Sequence, residues 1–147
     1  MKIILDSNVL ISAFNSKDSR HDLAIKLLNG IVDEEIWINQ FILVEFSTVL
    51  LLRTKDLKLS EEVTRSLRSI DNVMESHFNG EEFGKILSFF YQQSSAKLSV
   101  PDCSLLYQAK KNRSGVLATF DKDLRQAAGK IGIKILPKRM WVLLLQS

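Results

Sequence analysis

The fold is decided by the opening stretch Lys2-Ile3-Ile4-Leu5-Asp6-Ser7-Asn8. Lys2–Leu5 is a brief aliphatic run, too short for a helix and placed like a buried strand. It ends in an acid. Ligands of an open parallel sheet bind beyond the carboxyl ends of its strands, so Asp6 stands where a site is expected. The same acid arrives too early for the apolar region of a signal peptide.

Outward from this stretch, short β-type runs alternate with helical periods. Leu23, Leu27, Leu28 and Ile31 recur at i, i+4, i+5 and i+8, which predicts a helix with one apolar face. Glu35–Asn39 alternates like a strand, whereas the length of the apolar run over residues 41–52 favours a helix. Ser60-Glu61-Glu62 predicts the next helix start, a serine cap followed by acids at the positive end of the dipole. Val63, Leu67, Ile70 and Met74 form its stripe, and His77 reads as a helix end. Phe83, Ile86, Leu87, Phe90 and Tyr91 mark a further helix. Residues 99–112 follow as a helix with a capping signal. Gly115 then leads into a strand over 116–120, a helix over 121–129 and a last strand over 133–136, stopped by Pro137. Strands separated by helices predict βα units and a mainly parallel, three-layer α/β fold, as one domain over residues 1–147.

Composition narrows the function classes. The chain has 147 residues, 46% hydrophobic and 25% charged, an ordinary globular balance that argues against disorder. A single cysteine, Cys103, excludes an internal disulfide and a multi-cysteine zinc cage. His21 and His77 are too far apart for a helical metal pair. No apolar run approaches ~20 residues, so no membrane span is expected, and the expected location is cytoplasmic. The net charge of +3 conceals −4 over residues 1–109 and +7 over residues 110–147. A cationic final quarter suits a polyanionic partner, although a solvated surface also produces such a pattern. Trp141 opens an apolar tail expected to pack on the domain or on a partner.

Four carboxylates occupy informative places. Asp6 and Asp121 each follow a predicted strand, and each alone serves equally well as a helix cap. Glu45 interrupts the apolar run Phe41-Ile42-Leu43-Val44-Glu45-Phe46, with no helical neighbour able to neutralise it. Such a carboxylate is costly unless paired or metal-bound; Arg53 is the ordinary candidate partner. Asp102, in Ser99-Val100-Pro101-Asp102, fits a capping box, a role compatible with facing a site. As a set, four acids at one sheet edge repel one another unless a cation compensates. A hard divalent ion, Mg²⁺ or Mn²⁺, prefers oxygen ligands and tolerates water and phosphate oxygens beside them. Such a site hydrolyses phosphodiesters without histidine or cysteine.

At these residues the chain resembles the PIN-domain nucleases, particularly the compact VapC-type ribonuclease toxins. The resemblance rests on Asp6-Ser7-Asn8 after the first strand, Glu45 on the helix after the second, Asp102 opening a later helix, and Thr119-Phe120-Asp121-Lys122-Asp123-Leu124 after a strand. It implies a parallel five-stranded sheet, Mg²⁺ or Mn²⁺ dependence and endonucleolytic cleavage of RNA. By position, Asp6, Glu45, Asp102 and Asp121 become the acidic quartet, and Asp123 an auxiliary metal-site acid. Ser7, Asn8 and Thr119 become the groups that support the carboxylates by hydrogen bonds. Lys122 and Arg125 become the cations nearest the RNA phosphate. An antitoxin partner and a homodimer follow from the same resemblance. Cys103, with no histidine beside it, reads as a small buried side chain rather than a nucleophile.

A non-catalytic RNA-binding or regulatory module is the rival function. A phospho-accepting receiver domain fails, because Asp6 has no adjacent acid and Glu35–Asn39 ends in an amide. A haloacid-dehalogenase site fails because Asn8 stands where its second Asp belongs.

Overall fold

A computed structural model describes residues 1–113 and 115–140 of the chain. In chain order the elements are β1 (Lys2–Leu5), α1 (Ser7–Phe14), α2 (His21–Gly30), β2 (Glu35–Asn39), α3 (Gln40–Thr54) and α4 (Leu57–Arg68). They continue with β3 (Val73–Ser76), α5 (Gly80–Tyr91), α6 (Val100–Lys111), β4 (Gly115–Ala118), α7 (Lys122–Lys130) and β5 (Lys134–Leu136). The strands form one sheet in the order β3-β2-β1-β4-β5, with every pairing parallel. Helices cover the sheet in a three-layer α/β/α arrangement.

β1 sits at the centre, and its sequence shows why. Ile3, Ile4 and Leu5 are at most 1% exposed, the near-continuous aliphatic run that a strand covered on both faces requires. The β4 residues Val116, Leu117 and Ala118 and the β2 residues Ile36 and Ile38 extend this buried layer. Phe46 of α3, Leu105 and Leu106 of α6 and Leu124 of α7 close over it. From β1 the chain winds one way to β2 and β3, then crosses to the other side for β4 and β5. This reversal is a topological switch point, where the crevice of an open α/β sheet lies. Asp6 follows β1 directly there.

Three expectations are corrected. The second long helix begins at Leu57 rather than Ser60: Asp56 is its cap, accepting from Leu59 N at 2.9 Å. Ser60 is buried inside α4 and donates to Ser47 O at 2.9 Å. That helix also stops at Arg68, so Ile70 and Met74 leave its stripe. Met74 belongs to β3, paired with Trp37 of β2. The turn between them is held by Asn72, whose side-chain amide donates to Val32 O and Glu34 O. His77 therefore follows a strand, exposed and beside Glu75 at 3.0 Å. The tail beginning at Trp141 lies outside the described residues.

β4 enters the sheet through a close approach. A Cβ on Gly115 would lie 2.9 Å from Asn112 O and 3.1 Å from Ile4 Cδ1, so only glycine allows the chain to leave α6 and pair at once with Lys2. Gly84, within α5, has open space around it. Gly115→Ala is expected to lower the stability by about 1–3 kcal/mol through overpacking against backbone. Gly84→Ala should instead raise it by about 0.5–1 kcal/mol through helix propensity. Urea denaturation of the two variants measures both signs.

Candidate active site

The site is built at the carboxyl ends of β1, β2 and β4. Asp6 is 4% exposed, and its backbone N–H extends the ladder by donating to Ala118 O at 3.0 Å. Its carboxylate caps α1, with Oδ1 accepting from Ser7 N at 2.7 Å. The other oxygen, Oδ2, accepts the Thr119 hydroxyl at 2.6 Å. The cap expected of Asp6 is thus real, and the same side chain sits in the crevice.

Two hydroxyls tie Asp6 to the other acids. Ser7 Oγ lies 3.5 Å from Asp6 Oδ1 and donates to Glu45 Oε1, which joins α1 to α3. Arg53, the ordinary partner considered for Glu45, pairs instead with Asp18 at 3.3 Å. Thr119 Oγ1 accepts from Asp121 N at 3.1 Å and from the Asn8 amide at 3.3 Å. Asn8 Oδ1 in turn accepts from Phe120 N at 3.3 Å. Asp121 caps α7 through Leu124 N at 2.7 Å. Asp102 closes the fourth side as half of a capping box: its Oδ2 accepts from Ser99 N at 2.9 Å, and its N–H donates to Ser99 Oγ at 3.2 Å.

The electrostatics shows how close these groups stand. Burial, followed by the charges of Asp102 and Glu45, pushes the Asp6 carboxyl up to about 7 against the Thr119 and Ser7 hydrogen bonds. Asp102 is likewise raised, first by burial and then by Asp121 and Glu45. Asp6 thus lies within reach of the charges of Asp102 and Glu45, and Asp102 within reach of Asp121 and Glu45. Among the described residues, however, no three His, Cys, Asp or Glu side chains close around one point as a metal cage. All the donors are oxygens and they repel one another, which suits a hard ion held by one or two carboxylates with water and phosphate oxygens. An all-oxygen donor set is the kind that a hard ion such as Mg²⁺ or Mn²⁺ prefers.

The remaining expected residues separate. Asp123 lies on the first turn of α7, bordering a groove shared with Phe89 and Lys130. Lys122 is exposed at the start of α7. Arg125 also has a bracing role: its guanidinium donates to Thr119 O at 3.0 Å and to Pro137 O at 2.5 Å, holding the loop after β4 against the chain beyond β5. Cys103 is buried, and burial together with Asp102 pushes its thiol up to about 11, so it is no nucleophile.

One supporting group was not foreseen. Asn39, fully buried at the end of β2, caps α3 through Ile42 N at 3.0 Å. Its amide donates to Ser104 Oγ at 3.0 Å and Gln108 Oε1 at 3.2 Å, both on α6. Gln108 passes the chain on to Ser76 Oγ of β3 at 2.9 Å. One buried amide therefore sets the helix that carries Glu45 against the helix that carries Asp102. The only signal in the sequence was an amide at a strand's carboxyl end.

Comparisons with known proteins agree with this geometry. The sequence matches the PIN domain family over residues 3–130. Comparison with curated protein sequences finds no match. Among solved structures, the fold is similar to the VapC20 toxin of Mycobacterium tuberculosis, described as cleaving the sarcin-ricin loop. That match has 16% identity and a TM-score of 0.71, over 85% of this chain and 94% of that one. It is also similar to VapBC2 of Rickettsia felis bound to a promoter DNA fragment, with 14% identity and a TM-score of 0.64, over 92% and 97% of the two chains. FitAcB of Neisseria gonorrhoeae gives 15% identity and a TM-score of 0.62 over the same shares. With the family match spanning most of its length and the acids assembled at the switch point, the chain belongs to the PIN domain family.

Proposed function

We propose that the protein is a divalent-metal-dependent endoribonuclease and the toxin of a toxin–antitoxin pair. The observation that carries the catalytic part is the buried Asp6 at the crevice, tied to Glu45 through Ser7 and to the Asp121 backbone through Thr119, with Asp102 close enough for its charge to be felt. Folding has concentrated negative charge where a neutral surface would be more stable, a cost that makes sense where a cation is to be bound. The VapC-like and FitAB-like neighbours, described as a toxin and as complexes with DNA, support the toxin and antitoxin part of the reading.

In this mechanism one or two of the carboxylates of Asp6, Glu45, Asp102 and Asp121 would hold the ion directly and the others through water, with Asp123 lying beyond them on α7. When bound, Mg²⁺ or Mn²⁺ supplies Lewis acidity toward water and the scissile phosphate. Ser7 orients Glu45 and Asp6, and Thr119 fixes Asp6 while accepting from Asp121 N–H, so the carboxylates are held in place before substrate arrives. Lys122, exposed beside Asp121, attracts the phosphate backbone.

Asp6→Asn and Asp121→Asn are each expected to reduce cleavage of a fluorogenic RNA to background with the circular dichroism unchanged. Ser7→Ala should cost about 10–100-fold in rate or metal affinity. Full activity in either Asn variant overturns the mechanism. RNA affinity without metal uptake or cleavage in the wild type points to a non-catalytic module.

The raised Asp6 carboxyl also gives a stability signature. Unfolded, this group ionises near 3.8, whereas in the native chain it holds its proton up to about 7. Between these values the native state binds more protons than the unfolded state, so stability falls as pH rises and then levels off. For the metal-free protein, Asp6→Asn is expected to raise the thermal midpoint by several degrees at pH 8 and to leave it nearly unchanged near pH 4. Mn²⁺ should raise the wild-type midpoint at pH 8 more than that of the variant. Calorimetry with and without EDTA reads both differences.

A further inference from the structure

A groove of about 370 Å³ runs between α7 and the loop joining α5 to α6, and the catalytic reading above does not use it. Phe89, Gln92 and Lys97 form one wall; Asp123, Gln126 and Lys130 form the other. Two of its lining residues are close in sequence to the acids. Asp123 is two residues from Asp121, and Leu98 on the loop precedes Ser99, the cap that holds Asp102.

The walls are built rather than incidental. Gln93 clasps the loop, its Nε2 donating to Phe90 O at 2.9 Å and Leu98 O at 3.0 Å, while its Oε1 accepts from Leu98 N at 2.9 Å. The loop is thus fixed in the same unit as the Asp102 cap. On the opposite wall Gln126 and Lys130 are exposed, and exposed Lys122, one turn before Gln126 and next to Asp121, continues their row on α7 outside the groove. They form a ridge about 12 Å long that starts at the acid site. Neither Lys97 nor Lys130 is paired with a carboxylate among the described residues. Phe89 keeps 41% of its surface exposed at the rim.

Cations spaced along a ridge, side-chain amides and one accessible aromatic face are the chemistry that holds single-stranded nucleic acid: charge along the backbone, stacking for a base, hydrogen bonds to base edges. A protein partner of the same groove would call for a larger apolar centre than Phe89, Leu98 and Ala127 supply among its eleven lining residues. We propose that this groove binds the single-stranded RNA flanking the scissile bond and guides it out of the acid site along α7. This rests on the nuclease reading for its substrate, but it can be tested without cleavage.

The test is fluorescence anisotropy of a labelled 20-nucleotide single-stranded RNA with the full chain in EDTA. The variants are Lys97→Glu/Lys130→Glu, Phe89→Ala, and the charge-matched control Lys26→Glu/Lys58→Glu on α2 and α4. The groove double variant is expected to lose at least tenfold in affinity and about 1.4 from the slope of log K against log salt; Phe89→Ala should weaken binding with the slope intact. The control should keep most of the wild-type affinity. Equal losses in the control and the groove variant, or no RNA binding by the wild type, overturn the proposal. A Mn²⁺-dependent cleavage assay run alongside separates the two readings. Cleavage indifferent to groove charge keeps the nuclease and removes the groove, whereas groove-dependent binding without cleavage does the reverse.

Discussion

The architecture turns on a single buried carboxylate. Asp6 is placed by the sheet itself, because its backbone continues the β1–β4 ladder, and its side chain is held by Thr119 on one oxygen and the start of α1 on the other. Burial and two neighbouring charges work against its ionisation. An acid so placed is a liability to a protein that only needs to fold. It becomes useful when a counter-charge arrives with the substrate or before it.

The supporting groups are chosen by the same constraint. The Ser7 hydroxyl links the Asp6 and Glu45 carboxylates, and the Thr119 hydroxyl links the Asp6 carboxylate to the Asp121 backbone, without adding charge of either sign. The amides of Asn8 and Asn39 work one layer further out, satisfying backbone groups and setting helix against helix. Buried amides of this kind fix geometry only when all their partners are present, as they are for Asn39 with Ile42, Ser104 and Gln108.

What could be read from the sequence depended on how local each cause is. Asp6 and Asp121 were legible because an acid directly after an aliphatic run needs only a few neighbours to interpret. Glu45 was legible because an apolar run makes a lone charge conspicuous. β3 was not, since Val63, Leu67, Ile70 and Met74 satisfy a helical period that Asn72 breaks by binding carbonyls from a distant turn. The start of α4 was misplaced because Ser60 resembles a cap, while its hydroxyl is occupied by Ser47 on another helix. The bracing role of Arg125 was not legible either, because Thr119 O and Pro137 O reach its guanidinium only in the folded chain. Contacts between segments far apart in the chain decided each of these cases.

The two edges of the sheet carry a further consequence. β3 has four residues and β5 three, and the β3 residue Glu75 is pinned by Arg68. Such stubs present few unpaired rungs to another polypeptide, a recognised protection against strand-to-strand aggregation. Among the described residues the helical faces therefore offer a partner a broader surface than the strand edges do.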